Sequence, residues 1–197
     1  MMTRLEALQT LFPYTEKLPV VSACGATSRE WASLGRRPNH LYNVDTMGLS
    51  PSVALGVSLA IANTSISKCI ALEGDGGVLM NPNVLTSASF LNANKWLLII
   101  LDNGCFDSTG GQRSMATVIN VGDVAKGYGL TVMTAEETGQ LDEAVQKALA
   151  ETEKPMVIHA KMKPGNAPTS YLNEDAPVAS HNFKKFIQEL SAIGGGE

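Results

Sequence analysis

Two short polar turns, each directly after an apolar run, hold the residues of this chain best suited to chemistry. EGDGGVLMN (73–81) follows CIAL, and DNGCFDSTGGQ (102–112) follows WLLIIL. Asp75 and Asn103 stand 28 positions apart. That spacing fits one strand–helix–strand unit, which returns both turns to the same edge of a parallel sheet. A carboxylate oxygen beside an amide oxygen can hold a hard cation. Glycines in the first turn (Gly74, Gly76, Gly77) let backbone N–H groups approach a phosphate. Each motif alone is weak: Asp75 also reads as a helix-capping turn aspartate, and Asn103 as half of a common Asn-Gly turn. Together, each after a buried strand, they predict a magnesium–diphosphate site and hence a cofactor enzyme.

The elements needed to position those turns are legible as alternating patterns. LPVVSAC (18–24), residues 69–73, residues 96–101, residues 130–134 and PMVIHAK (155–161) read as strands. SPSVALGVSLAIA (50–62) reads as a helix with Ser50 as N-cap and Pro51 at the first helical position. NPNVLTSASFLNA (81–93) opens on the same signal, and helices follow at 121–128 and 141–152. Strands apolar throughout and separated by helices imply a mainly parallel, doubly wound α/β sheet with helices on both faces. In such sheets ligands sit at the carboxyl ends of strands, where both turns lie. Residues 163–180 read as a loop, 181–193 as a terminal amphipathic helix, and 194–197 as a frayed tail.

At 197 residues the chain has the length of a single domain with a sizeable core. A 17% charged, 44% apolar composition is that of a buried sheet rather than a disordered chain. The net charge of −4, without a basic stripe, gives no footprint for nucleic acid. No apolar run approaches the roughly 18 residues that span a membrane. Arg4 and Glu6 fall where a signal peptide would turn apolar, so a cytoplasmic location is expected. Cys24, Cys69 and Cys105 are odd in number and widely spaced, which argues against a disulfide framework or a zinc site. Of the histidines, His40 is a pocket candidate, His159 reads as a core or supporting residue, and His181 as solvent-facing.

The paired turns resemble the diphosphate-binding domain of thiamine-diphosphate-dependent enzymes, in which Gly-Asp-Gly is followed about 25 residues later by an Asn pair. Here Asp102-Asn103 stands where the family usually has Asn-Asn, and the metal-ligating second Asn is kept. The resemblance implies thiamine diphosphate and Mg²⁺ as cofactors. It implies metal ligation by Asp75, Asn103 and the backbone carbonyl of Cys105, with Gly74, Gly76, Gly77 and Phe106 also at the cofactor. DTMGLSPSVALG (45–56) is similar to the family segment that bends the cofactor, with Met47 as the wedge between its rings and the Asp45 carbonyl accepting from the aminopyrimidine. Relatives often have glycine at the Asp45 position. ATSREWASLGRRPNHLYNVDTMG (26–48) and DNGCFDSTGGQ narrow the likeness to sulfopyruvate and phosphonopyruvate decarboxylases. Their substrates end in a sulfonate or phosphonate, for which Ser28 and Arg29, or Ser108 and Thr109, could supply donors.

The family's activating glutamate lies on a separate pyrimidine-binding domain, for which this chain has no length. The resemblance therefore implies the diphosphate-binding subunit of a hetero-oligomer, with an alpha-type partner subunit carrying the glutamate and a small anionic 2-oxo acid as substrate. Split enzymes of this kind favour sulfopyruvate over phosphonopyruvate. The competing readings are a non-catalytic, cofactor-binding regulatory subunit, and an unrelated phosphate-binding module with Asp75 as phosphoacceptor. The latter would require neither Asn103 nor the Met47 segment.

Overall fold

In the computed structural model, which describes residues 1–193, six strands form one sheet whose pairings are all parallel. In chain order the elements are α1 (Arg4–Leu11), β1 (Val20–Ser22), α2 (Ala26–Ser33), β2 (His40–Tyr42), α3 (Ser50–Ala60), β3 (Cys69–Gly74), α4 (Asp75–Met80) and α5 (Asn83–Phe90). There follow β4 (Trp96–Asp102), a small hairpin of β5 (Cys105–Phe106) and β6 (Gln112–Arg113), then α6 (Val121–Gly127), β7 (Thr131–Ala135), α7 (Thr138–Ala150), β8 (Met156–Lys161) and α8 (Ala176–Ile193). The sheet order is β2-β1-β3-β4-β8-β7. The fold class is the doubly wound α/β sheet that the strand pattern predicts.

The strands are apolar on both faces, and their period of two divides the core. Ile70, Leu72, Leu97, Ile99 and Ile158 pack with α1 and α7 on one side. Cys69, Ala71, Trp96, Leu98, Ile100 and Val157 pack with α3, α5 and α6 on the other. The chain leaves β1 towards β2 and then returns to the other side of β1 with β3. Strand order reverses between β1 and β3, which opens a crevice at their carboxyl ends.

Several boundaries differ from the sequence reading for local reasons. The helix expected over 81–93 is α5, which starts two residues later at Asn83 and ends at Phe90, and the short α4 precedes it across Asn81 and Pro82. Ser50 is not an N-cap: it is the first residue of α3, and its hydroxyl donates to Leu72 O and to the Glu73 carboxylate. The terminal helix starts at Ala176 rather than His181, which shortens the expected loop to 163–175. Asp175 starts it, its carboxylate accepting from Val178 N and its carbonyl from Ala179 N. Pro177 is tolerated because the first turn of a helix has no use for its missing N–H. The expected frayed tail at 194–197 lies outside the described residues. No helix among the described residues is long and apolar enough to cross a membrane.

Candidate active site

Register brings the two turns together. Gly74 at the end of β3 is paired with Leu101 of β4, so Asp75 and Asn103 leave the sheet from adjacent strand ends. Both are buried, and both line a cavity of about 460 Å³ in the crevice. Asp75 opens α4 and accepts a hydrogen bond from the Ser114 hydroxyl. Burial pushes its carboxyl above the ordinary aspartate range. The neighbouring Asp102 charge adds to that rise, while the Ser114 bond and the N–H groups of Asp75 and Asn103 oppose it. A buried carboxylate with no cationic partner among the described residues is a place where a cation would be welcome.

The second turn is held by its own polar groups. One oxygen of the Asp102 carboxylate accepts from Gly104 N at 3.1 Å, and the other bonds His159 Nε2 at 2.6 Å. Asn103 Oδ1 accepts from Cys105 N, and Asn103 Nδ2 donates to Asp107 at 2.6 Å. Gly104 adopts φ +69°, the left-handed region that a side chain resists. The Cys105 thiol is pushed up to about 12 by burial and by the Asp107 carboxylate beside it, so it is not a nucleophile here.

The remaining expected residues fall around the same cavity. Gly74 has open space where a Cβ would sit. Gly76 and Gly77 instead make room for protein, the Phe106 ring and the Glu73 carboxylate respectively, each at 2.3 Å from a built Cβ. Gly48, at φ +71°, seats the Met47 segment on α4, with Gly77 O only 2.5 Å from its built Cβ. Met47 stands at the cavity mouth, 50% exposed. Asp45 also lines the cavity and holds φ +56°, a conformation that glycine adopts without strain.

The candidate substrate donors divide. The Ser28 hydroxyl is committed internally, donating to Ala23 O at 2.6 Å and bonded to Ser22 Oγ at 2.7 Å, so it has little left for a ligand. Ser108 Oγ accepts from Ala26 N at 3.0 Å and so caps α2 from a distant loop. Thr109 is exposed and accepts from Gln112 Nε2. Arg29 lines the cavity and makes no ion pair among the described residues, and its Nε is buried without a partner. His40 is not in this cavity. It packs in an aromatic cluster with Phe12, Trp31 and Tyr42, where burial and Arg37 push its pKa down to about 3.

Sequence reasoning did not single out four further residues. Glu73 lines the cavity, and burial pushes it up to about 7 against the bonds it accepts from Ser50 and Gly74 N. A lone acid ending an apolar run was its only local sign. Asn43 lines the cavity just beyond β2, with Nδ2 buried and unpartnered. Ser114 reaches Asp75 from 39 positions away. Arg4, also on the cavity wall, is buried and forked onto Glu30. Arg4, Glu30 and Asp107 together fasten the 163–175 loop through Asn166 Oδ1, Ala167 N and Gly165 N.

Among the described residues, no group of three or more His, Cys, Asp or Glu side chains is placed to hold a metal. The donors that converge, a carboxylate and an amide oxygen, are the hard, sparse set of a cation shared with phosphate oxygens. The open backbone at Gly74 beside them leaves room for such a group. This fold and donor set suit a diphosphate held through a hard cation at the strand ends.

Comparison with known proteins agrees. The chain belongs to the thiamine pyrophosphate enzyme family, whose C-terminal TPP-binding domain matches residues 23–160. It is 32% identical over 190 residues to sulfopyruvate decarboxylase subunit beta of Methanothermobacter thermautotrophicus, covering 96% of both chains. It is 34% identical to phosphonopyruvate decarboxylase of Streptomyces hygroscopicus, where 98% of this chain spans 49% of that protein. In structure it resembles benzoylformate decarboxylase from Polynucleobacter necessarius, with TM-score 0.70 and 16% identity over 84% of this chain and 33% of the other.

Proposed function

We propose that this chain is the diphosphate-binding subunit of a two-subunit, thiamine-diphosphate-dependent 2-oxo acid decarboxylase acting on sulfopyruvate. One observation carries the reading: sulfopyruvate decarboxylase beta subunits match the chain nearly end to end, whereas it covers about half of phosphonopyruvate decarboxylase and of a longer sulfopyruvate decarboxylase. Asp75, Asn103 and the Cys105 carbonyl would hold Mg²⁺ with the cofactor's phosphates. Met47 would pack against the cofactor from the cavity mouth. Bound thiamine diphosphate would supply the electron sink that lets a 2-oxo acid lose carbon dioxide. Asp45, Gly74 and the α4 amides would position it, and the cavity walls would keep water from the reacting carbon. The activating glutamate would come from an alpha-type partner, with the active site between the two subunits in the cytoplasm.

Phosphonopyruvate is the second reading, supported by 34% identity to two Streptomyces phosphonopyruvate decarboxylases. The test is decarboxylation of both acids by this chain, with and without its partner subunit, in Mg²⁺ and thiamine diphosphate. Turnover only with the partner, and faster with sulfopyruvate, is the expected result. Turnover by the chain alone would overturn the split site, and a preference for phosphonopyruvate would select the second reading.

A further inference from the structure

We propose that Arg29 and Asn43 form the subsite that takes the anionic tail of the substrate. The inference rests on the decarboxylase reading above. Both residues line the cavity, and both point to a missing acceptor: Arg29 Nε and Asn43 Nδ2 are buried donors without a hydrogen-bond partner. Buried N–H groups are almost always paired in a folded protein, so two orphan donors on one cavity wall call for a ligand with acceptor oxygens.

Charge points the same way. The cavity wall also holds the carboxylates of Asp45, Glu73, Asp75, Asp107 and Glu174, which would repel a dianionic substrate. Two arginines face them. Arg4 is neutralised by Glu30 at 2.7 Å. Arg29 makes no ion pair among the described residues, so it is the cation left to balance a sulfonate. A guanidinium fork matches two oxygens of a tetrahedral oxyanion, and the Asn43 amide adds a third donor.

Position sets the Asn43 end of this subsite apart from the Asn103 turn. Arg29 lies in the helix after β1, and Asn43 follows β2. Asn103 follows β4, three strands along the sheet from β2, which is roughly 14 Å at the usual strand spacing. The same phosphate oxygen cannot bind both places. A substrate without the tail would leave the donors unpaired, and such sites discriminate strongly against the analogue that lacks the group.

The experiment compares kcat/KM for sulfopyruvate and pyruvate in the enzyme reconstituted with its partner subunit. The sulfopyruvate-to-pyruvate ratio should fall about 100-fold in Arg29→Met and about 10-fold in Asn43→Leu. Arg29→Lys, which keeps the charge and loses the fork, should fall in between. If Arg29→Met does not fold, the other two variants decide. Thiamine diphosphate affinity, measured by calorimetry, should change less than about threefold, as expected for positions that do not share partners with the Asn103 turn. Ratios unchanged in all variants would overturn the proposal. So would a weakened cofactor affinity with an unchanged ratio, which would give the donors to the diphosphate. If the wild type decarboxylates neither acid, the decarboxylase reading fails by itself. Binding of 3-sulfopropanoate to the magnesium–thiamine-diphosphate-loaded protein then decides: binding that Arg29→Met abolishes supports the subsite, and absent or unaffected binding overturns it.

Discussion

Asp102 shows how much the Asn103 turn depends on a neighbour outside the proposed metal ligands. Its carboxylate ties the turn amide of Gly104 to His159 on the neighbouring strand, and so fixes where Asn103 leaves the sheet. A carboxylate accepts both of those bonds at once. Asp102→Ala should therefore weaken magnesium-dependent thiamine diphosphate binding by about 10-fold, in the range that supporting partners of metal ligands contribute. Asp75→Asn and Asn103→Ala remove the oxygens themselves and should cost more, beyond roughly 100-fold. Titration calorimetry with the cofactor in excess Mg²⁺ measures all three, and circular dichroism checks that they fold. Equal, small losses throughout would mean that the cation lies elsewhere. At this scale the sequence was highly legible for Asp75 and Asn103, because each sits one step past an apolar strand. It was silent on Asn43 and Ser114, which only the folded sheet brings to the site. It also left Ser28 open as a donor, and only the tertiary hydrogen bonds to Ala23 O and Ser22 show that its hydroxyl is committed.

The elements position the site by close backbone approaches. The Met47 segment crosses α4 where Gly48 meets Gly77 O, and Asn81 Nδ2 reaches Met47 O at 3.4 Å. A methyl group at Gly48 would meet backbone, not a flexible side chain, and in a left-handed conformation. Gly48→Ala should lower stability by about 2 kcal/mol or more, the sum of the φ strain and the contact. It should also weaken cofactor binding by lifting Met47 away. Urea unfolding with and without cofactor separates the two effects. A stable variant with intact binding would show that the segment is free to shift. Element types were readable from apolar periodicity, as in β3, β4 and β8. The missed elements are α1, α2, the three-residue β2 and the β5–β6 hairpin; α2, β2 and the hairpin lie in stretches with no apolar period, and α1 is only two turns long. The break between α4 and α5, and the early start of α8 at Ala176, depend on proline at a helix start. The pattern marked the prolines, but not which residue would cap beside them.

Across the whole molecule, two buried titrating groups set opposite pH dependences of stability. His40 sits in its aromatic cluster with a folded pKa of about 3 against an ordinary 6.5. Its Nε2 lies 3.3 Å from Thr15 Oγ1, whose hydrogen is given to Phe12 O, so Nε2 carries the proton of the neutral ring. Between pH 6.5 and 3 the unfolded chain binds a proton that the folded chain refuses, so His40 makes stability fall as pH falls. Glu73 has a folded pKa of about 7 against an ordinary 4.5. Between pH 7 and 4.5 the folded chain holds a proton that the unfolded chain releases, so Glu73 makes stability rise as pH falls. Each slope reaches at most about 1.4 kcal/mol per pH unit, and the two oppose each other between pH 6.5 and 4.5. The cofactor-free chain should therefore show a shallow profile in that window. His40→Gln, which keeps the donor to Thr15, should remove one slope and become more stable relative to the wild type by about 2 kcal/mol on going from pH 6.5 to 4.5. Glu73→Gln should show the reverse, losing stability relative to the wild type over the same window. Urea midpoints at half-unit steps of pH test this. If both variants run parallel to the wild type, the two groups titrate as they would in water, and neither the cluster around His40 nor the cavity wall at Glu73 is as dry as the packing requires.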